Sequence, residues 1–278
     1  MIRITETRLS KKILSEALTD IKLSGKYFVS STSKKYEISD YATFVCSNGV
    51  VDIYNADAAT GCCISIAGQS TNDVMFVSSI SKMLNYIKNM EEDIVITVDD
   101  FITLSDGKST FKYGKTLNHP TEAMIARLIS FNEYLLNINL DSTVDVNDAE
   151  FIEFSNTILE AMIHISPDTL DSAIKSCDAI GSSLYKIDIH PDGIYNHGAF
   201  EIILSSSIHN NATEFCSVNL TSDVQVKGEP ATVSFTGQVN KFFSRTDDAV
   251  FIQLKDEFPL FFVQNDRFIL KAPHISVN

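Results

Sequence analysis

The sequence predicts an α+β chain made of two similar domains, each with two helices packed on mainly antiparallel sheet. Two observations predict it. An amphipathic helix followed by β-hairpins with tight polar turns recurs four times along the 278 residues. A segment without this pattern lies between the second and third units, so we expect domains at 1–118 and 151–278 and a connector at 119–150.

Each of the four predicted helices carries an apolar stripe. In the first, LSKKILSEALTDIKLSG, Ser10 is the expected N-cap and Gly25 the expected stop, and the stripe consists of Ile13, Leu14, Ala17, Leu18 and Ile21. The others are SSISKMLNYIKNMEED, DTLDSAIKSCDAIG and TGQVNKFFSRTDD. Lys and Arg fall mostly off the apolar stripes.

The predicted hairpins turn at short polar sequences. These turns are Asp99-Asp100, Asp106-Gly107, Pro191-Asp192-Gly193 and the segment from Gln264 to Asp266. The last turn joins FPLFFV to RFILK, so the apolar end of the chain is expected to be the closing hairpin of the fourth unit.

Composition limits the classes of function. A hydrophobic content of 44% is sufficient for proper cores, and neither a run of about 20 apolar residues nor an N-terminal signal sequence is visible, so we expect an intracellular chain without a membrane partner. The five cysteines lack metal-binding spacing, and buried reduced thiols are the simpler interpretation. A formal charge of −14 argues against nucleic acid on average, although it says nothing of how the charge is distributed.

An enzyme would need a set of reactive groups, and KIDIHPDGIYNHG is the best candidate. Asp188, His190, Asp192 and His197 could form a metal or acid–base site, but a polar hairpin explains the same residues. Neither GxxxxGK[ST] nor GxGxxG occurs, and Cys177 falls on an apolar helix face. We therefore expect no enzyme, no cofactor and no metal.

Three segments together resemble one known family. They are ISKMLNYIKNMEEDIVITVDDFITLSDGKSTFKYG, TLDSAIKSCDAIGSSLYKIDIHPDGIYNHGAF and VNKFFSRTDDAVFIQLKDEFPLFFVQNDRFILKAPHI. The chain resembles the DNA sliding clamps, specifically the two-domain subunits that assemble as trimers: the proliferating-cell clamp (PCNA) and the phage processivity clamps. The connector is longer than is usual for that family, and 26–57 is the weakest match.

The resemblance implies a ring of three subunits whose inner wall is lined by helices. Duplex DNA would pass through it without sequence readout, and basic helices can face the hole of an acidic ring. The candidate DNA-facing residues are Lys11, Lys12, Lys82, Lys88, Lys175, Lys241 and Arg245. Plain solvation of these side chains is the alternative, and their recurrence on all four helices favours a function.

The resemblance also implies an interface and a docking site. STFKYGK would pair with AFEIILS of a neighbouring subunit, which places Phe111, Tyr113, Phe200 and Ile202 near the seam, unless both are internal strands. Partner peptides would enter an apolar pocket lined by Ala56, Asp57, Ala58, Thr60, Met124, Ile125, Leu128, Pro259, Leu270, Ala272 and Pro273. We expect Pro259, Leu270, Ala272 and Pro273 at the surface. The alternative for Met124 to Leu128 is a small core helix.

The expected function is therefore a processivity factor that tethers DNA polymerase and other replication proteins and is opened by a clamp-loader ATPase. Its location would be cytoplasmic, with the nucleoid or in an infected host cell, or nuclear in a eukaryotic host. A clamp-like viral scaffold for transcription or assembly and a metal-dependent enzyme remain as alternatives.

Overall fold

The predicted helices and hairpins form two units in the computed structural model, Met1–Asn132 and Glu133–Asn278. The structure describes residues 5–22, 40–116, 121–191, 200–208, 211–237 and 239–274. The division between the units falls inside the segment 119–150, whose role as a connector remains a prediction. Among the described residues, none of the helices has the length and apolar character needed to cross a bilayer.

The first unit contains two antiparallel sheets and a pair of helices. Its elements are β1 (Thr5–Ser10), α1 (Lys11–Asp20), β2 (Tyr41–Ser47), β3 (Val50–Ala56), β4 (Thr60–Ala67), β5 (Gln69–Ser70), β6 (Val74–Ser79), α2 (Ile80–Ile87), β7 (Asp93–Val98), β8 (Phe101–Ser105) and β9 (Thr110–Gly114). One sheet has the order β5-β1-β7-β8-β9, and β4, β3, β2 and β6 are consecutive neighbours in another. Helix α3 (Glu122–Leu135) runs across the division.

The helix pair of this unit follows its apolar stripes. Helices α1 and α2 lie side by side. They bury Leu14, Ala17, Leu18, Ile80, Met83 and Ile87. Ile13 is 43% exposed, so the stripe of α1 is narrower than predicted.

The second unit likewise contains antiparallel sheets and a pair of helices. Its elements are β10 (Glu153–Phe154), β11 (Thr157–Ile158), β12 (Ala161–Ile165), α4 (Pro167–Asp178), β13 (Leu184–Pro191), β14 (Phe200–Ile208), β15 (Asn211–Asn219), β16 (Val224–Gly228), β17 (Ala231–Thr236), α5 (Asn240–Phe243), β18 (Val250–Leu254), β19 (Leu260–Gln264) and β20 (Arg267–Lys271). One sheet has the order β15-β14-β13-β17, and β16, β12, β18, β19 and β20 are consecutive neighbours in another. Helix α4 lies against α5, β14 and β15. The predicted α+β class, with a helix pair and antiparallel sheet in each unit, is confirmed.

The predicted polar turns are confirmed where the structure describes them. Asp99-Asp100 joins β7 to β8, and Asn265-Asp266 joins β19 to β20. At the turn before β9, the Asp106 carboxylate accepts hydrogen bonds from the backbone N–H groups of Ser109, Glu91 and Lys108, which lower the pKa of Asp106 to about 2. Asp192 and Gly193 lie outside the described residues.

The fourth predicted helix is much shorter than expected. Instead of about three turns, α5 contains four residues, Asn240–Phe243. The Arg267 guanidinium Nη1 donates a hydrogen bond of 2.8 Å to the Phe242 carbonyl oxygen. That carbonyl would accept an intrahelical bond if the helix continued, so a side chain from β20 satisfies the end of α5 instead.

Candidate functional site

The basic residues predicted to face DNA lie on or beside the helix pairs, and they differ in how free their charges are. Lys12, Lys82 and Lys88 are exposed. The Lys11 ammonium instead donates to the carbonyl oxygens of Lys88, at 3.0 Å, and Met90 at the end of α2. Lys11 therefore caps α2, where a cation also complements the helix dipole.

The basic residues of the second helix pair stand in more acidic surroundings. Lys175 forms an ion pair of 2.6 Å with Asp171 one turn earlier on α4. Asp171 also accepts from the Asn240 amide at 2.7 Å, which ties α5 to α4. Helix α4 contains three Asp and one Lys, so its own charge is negative. Lys241 is exposed on α5, and Arg245 is exposed beyond the end of that helix.

Strand β9 offers an open backbone edge. Within the described ranges it pairs only with β8, in register from Phe101↔Gly114 to Ser105↔Thr110. The Phe111 ring stacks on Tyr86 of α2 at 4.8 Å between centroids, and the Tyr113 hydroxyl is 3.0 Å from Ser78 Oγ. Burial raises the pKa of Tyr113 to about 12. Because both rings face inward, the edge itself is presented mainly by the backbone.

The prediction that β14 forms the interface with a neighbouring subunit is wrong. β14 pairs with β13 along one side and with β15 along the other. Its first residues are also engaged, because Ile202 N donates to Thr221 Oγ1 at 3.0 Å and Ile202 O accepts from Leu220 N at 2.8 Å. Phe200 and Ile202 therefore belong to an internal strand, and Ile202 is buried.

The open edge of this sheet is β15. Within the described residues it pairs only with β14, and Phe215 on it is 70% exposed. At the opposite end of the sheet, β17 is partly covered, because His274 N donates to Ser234 O at 2.7 Å. β15 is thus the longer free edge of this sheet. It was not predicted from the sequence, although an exposed Phe within TEFCSVN, Phe215, was a signal for an edge strand.

The predicted docking residues of the first unit are largely buried. Ala56, Asp57 and Thr60 form a tight turn in which the Asp57 carboxylate accepts from Ala59 N at 2.8 Å and Thr60 N at 2.7 Å. Only Ala58 of this loop is exposed. An Asp at the start of a turn does this commonly, so its role here is structural.

Helix α3 turns its apolar residues inward. Ile125 and Leu128 are buried, whereas Met124 is half-buried. The Leu128 side chain fills the space above Gly61 on β4. The expectation that Ile125 and Leu128 are exposed anchors is therefore wrong, and the alternative of a small core helix describes them.

In the second unit, the four predicted docking residues divide into two kinds. Leu270 is buried at 5% exposure, so its expected place at the surface is wrong. It pairs with Phe261 in the β19–β20 hairpin, which uses both sides of that strand for packing. Ala272 is exposed, and Pro259 and Pro273 are half-buried. These three residues agree with the expectation.

A partly buried polar network lies beneath α3. Asn132 Nδ2 donates to the Tyr54 hydroxyl at 3.0 Å, and Ser65 Oγ donates to Asp52 at 2.6 Å. Burial raises the pKa of Asp52 and of Tyr54. The Asn132–Tyr54 hydrogen bond links α3 to β3, and the Tyr54 hydroxyl would lose this partner if the helix moved.

The candidate metal or catalytic residues do not form one site among the described residues. Asp188 forms an ion pair of 2.7 Å with Lys186 and accepts from Thr232 Oγ1 at 2.7 Å. His190 is exposed, and Asp192 and His197 lie outside the described residues. Across the part of the chain that the structure describes, no three His, Cys, Asp or Glu side chains form a group suited to a metal ion.

Solved structures of similar fold cover nearly the whole chain. A putative DNA polymerase III beta subunit from Eubacterium rectale matches 99% of it with a TM-score of 0.67 at 12% identity, over 66% of its own length. PCNA of A. fulgidus, bound to the C-terminal region of FEN-1, matches 99% with a TM-score of 0.63 at 11% identity, over 100% of its length. The chain has the DNA sliding-clamp fold.

Other comparisons define the limits of that assignment. The Helicobacter pylori beta clamp bound to a DNA ligase peptide also has the clamp fold, with a TM-score of 0.59 at 14% identity over 98% of this chain and 67% of its own. This chain thus spans about two thirds of the bacterial clamps and the full length of PCNA. No family model matches the sequence. No curated protein matches it either.

Proposed function

We propose that this protein is a DNA sliding clamp that encircles duplex DNA and tethers DNA polymerase and other replication proteins, without chemistry of its own. The observation that carries the proposal is the clamp fold over 99% of the chain, with a helix pair on antiparallel sheet in each of two units. Retention on DNA would be topological, since an acidic chain of charge −14 is poorly suited to tight phosphate binding.

Ring closure would occur by pairing of β9 of one copy with β15 of the next. These two strands differ, so the contact is head-to-tail, and such contacts close into a ring when the rotation between copies allows it. Pairing would also cover edges that otherwise invite aggregation. We propose three copies, which is supported by the match to the full length of PCNA.

An exposed side chain on β15 tests this assembly. Phe215→Asp should leave folding intact, because the ring is 70% exposed in the single chain, but should weaken self-association about tenfold or more. Ile158→Asp on β11 is the matched control, since Ile158 is 57% exposed and lies outside both edges. Equal dissociation midpoints for the two variants in sedimentation velocity would rule out β15 as the interface.

The DNA contact would come chiefly from the exposed basic residues of the helix pairs, Lys12, Lys82, Lys88 and Lys241. Their contacts would be weak, sequence-independent and salt-dependent. The test is retention after loading by the cognate clamp-loader ATPase. The protein should stay on nicked circular DNA through gel filtration and should be lost when a restriction enzyme linearises the circle. Equal loss from both forms would contradict encirclement.

Partner peptides are proposed from what two neighbours bind: the A. fulgidus PCNA holds the C-terminal region of FEN-1, and the H. pylori clamp holds a DNA ligase peptide. Here the accessible candidates are Ala58 and Met124 in the first unit and Pro259, Ala272 and Pro273 in the second. Met124→Asp should reduce stimulation of the cognate polymerase while leaving the oligomeric mass unchanged, with the exposed Arg127→Ala as control. Full stimulation by Met124→Asp would exclude Met124 from the docking surface.

A clamp-like scaffold that does not encircle DNA is the second candidate. The observation that favours it is the acidic character of α4, which has three Asp and one Lys. The circular-DNA experiment separates the two functions, because a scaffold shows no dependence on DNA topology.

A further inference from the structure

Two cysteines of the second unit bring their thiols together. Cys177 lies in the last turn of α4 and is fully buried, and Cys216 lies in β15 and is partly exposed. Helix α4 packs against β15, and the Cys177 and Cys216 thiols are close enough to interact. The Cys177 thiol also donates to the Leu204 carbonyl oxygen on β14 at 3.9 Å.

The strand register accounts for this contact. Cys216 is opposite Ser206 and Val218 is opposite Leu204 in the β14–β15 ladder. Ser206 and Leu204 are buried, whereas Phe215, the residue before Cys216 on β15, is 70% exposed on the opposite face of the sheet. Cys216 therefore lies on the face of the sheet that α4 covers, because alternate residues of a strand share a face.

We propose that Cys177 and Cys216 form a reversible disulfide that fastens the edge strand β15 to helix α4, with a low-molecular-weight disulfide as the oxidant. This is a redox-controlled modification site within one chain. Both thiols belong to the same unit, and Cys216 is partly exposed, whereas Cys177 is buried.

The exchange takes place in two steps. The Cys216 thiolate attacks one sulfur of the small disulfide, whose S–S bond breaks, so that a mixed disulfide forms and one small thiol leaves. The Cys177 thiolate then attacks the Cys216 sulfur and displaces the second small thiol. Two protein thiols are oxidised, one disulfide is reduced to two thiols, and the two protons pass to the leaving thiolates.

The surroundings of the two thiols indicate which of them attacks the small disulfide first. Cys216 is the less buried of the two residues, so we expect it to meet the oxidant first. Burial raises the pKa of Cys177 to about 12, with Cys216 and the Asp178 carboxylate adding to the effect. Only a small fraction of Cys177 is thiolate at neutral pH, so we expect it to be the slower, resolving thiol.

The disulfide would restrict the opening of β15. This strand has a neighbour on one side only among the described residues, and edge strands open locally more readily than internal ones. An effect on ring assembly rests on the proposed function, whereas formation of the bond does not.

The test uses the reduced full chain, freed of reductant and incubated with oxidised glutathione, then alkylated and mapped by mass spectrometry. We expect a peptide linking Cys177 to Cys216, loss of two hydrogens from the intact mass, and roughly tenfold slower amide exchange in Asn211–Asn219. Cys177→Ser should retain glutathione on Cys216, and Cys216→Ser should form neither the adduct nor the bond.

Three outcomes would overturn the proposal: a wild-type adduct on Cys216 that never resolves, alkylation of both thiols after oxidation, or a bond between two chains. Light scattering on the reduced protein gives its oligomeric mass, so the redox site and the ring are tested independently. A linked peptide from a monomeric protein supports the redox site and contradicts the ring, and a trimer without the link does the reverse.

Discussion

The contact between α3 and β4 gives the sharpest quantitative prediction. A methyl group on Gly61 would lie 2.8 Å from Leu128 Cδ2 and 3.0 Å from Cδ1. Carbon atoms normally approach to about 3.5–4.0 Å, so Leu128 must move or α3 must shift. No unusual backbone angle is involved at Gly61, and overpacking alone should make Gly61→Ala cost about 1–3 kcal/mol of unfolding free energy.

Truncating Leu128 removes the side chain that the new methyl group at position 61 would contact. Leu128 is 1% exposed, so Leu128→Ala should cost about 2–5 kcal/mol through lost burial and a cavity. In the double variant the new methyl partly fills that cavity. The combined cost should fall short of the sum by about 1 kcal/mol or more, which is the signature of two groups in direct contact.

Urea denaturation followed by far-UV circular dichroism measures this cycle. All proteins should be compared at one concentration, because self-association adds to apparent stability. Arg127→Ala is the control on the exposed side of α3 and should change stability by less than about 0.5 kcal/mol. Additive costs, or a neutral Gly61→Ala, would refute the packing of Leu128 against Gly61.

Three further predictions concern charge, pH and backbone. Replacing Lys12, Lys82 and Lys88 with Glu should weaken DNA association at low salt and flatten its salt dependence, whereas Arg127→Glu on the exposed side of α3 should do neither; equal effects would contradict DNA contact by the surface of α1 and α2. The Asp106 carboxyl should titrate near its pKa of about 2 in NMR. Its stabilising hydrogen bonds are then fully present above the ordinary Asp pKa of about 4 and lost as the pH falls through about 2, and a midpoint near 4 would contradict the turn. Gly228→Ala should destabilise severely, because φ is +106° and the methyl would lie 2.0 Å from Glu160 O, whereas Gly114→Ala meets no atom within 4 Å and should be tolerated; similar melting temperatures would contradict the close approach.

Local patterns in the sequence predicted most of the elements. The apolar stripes of α1, α2 and α4 and the turns at Asp99-Asp100 and Asp106-Gly107 depend on residues within a few positions of one another. Propensity and burial agree at these places, so the predictions were confirmed, except that Ile13 of the α1 stripe is 43% exposed.

The corrected predictions depend on distant residues. At the end of the short α5, the Phe242 carbonyl accepts a hydrogen bond from Arg267, which is far along the chain. β14 is internal and β15 is an edge because β14 pairs with both of its sequence neighbours, β13 and β15, and alternation within one strand cannot reveal that order. In α3, the spacing of Ile125 and Leu128 is the same for a partner-facing stripe and for a core-facing one, and only the Leu128–Gly61 contact distinguishes them.

The central claim is that copies of this chain close into a ring through β9 and β15. The most direct measurement is the mass in solution, by size-exclusion chromatography with light scattering at micromolar concentration. The account predicts a single species of about three times the 30.8 kDa of one chain, reduced to the monomer mass by Phe215→Asp but not by Ile158→Asp. A wild-type protein that remains a monomer at these concentrations would contradict it.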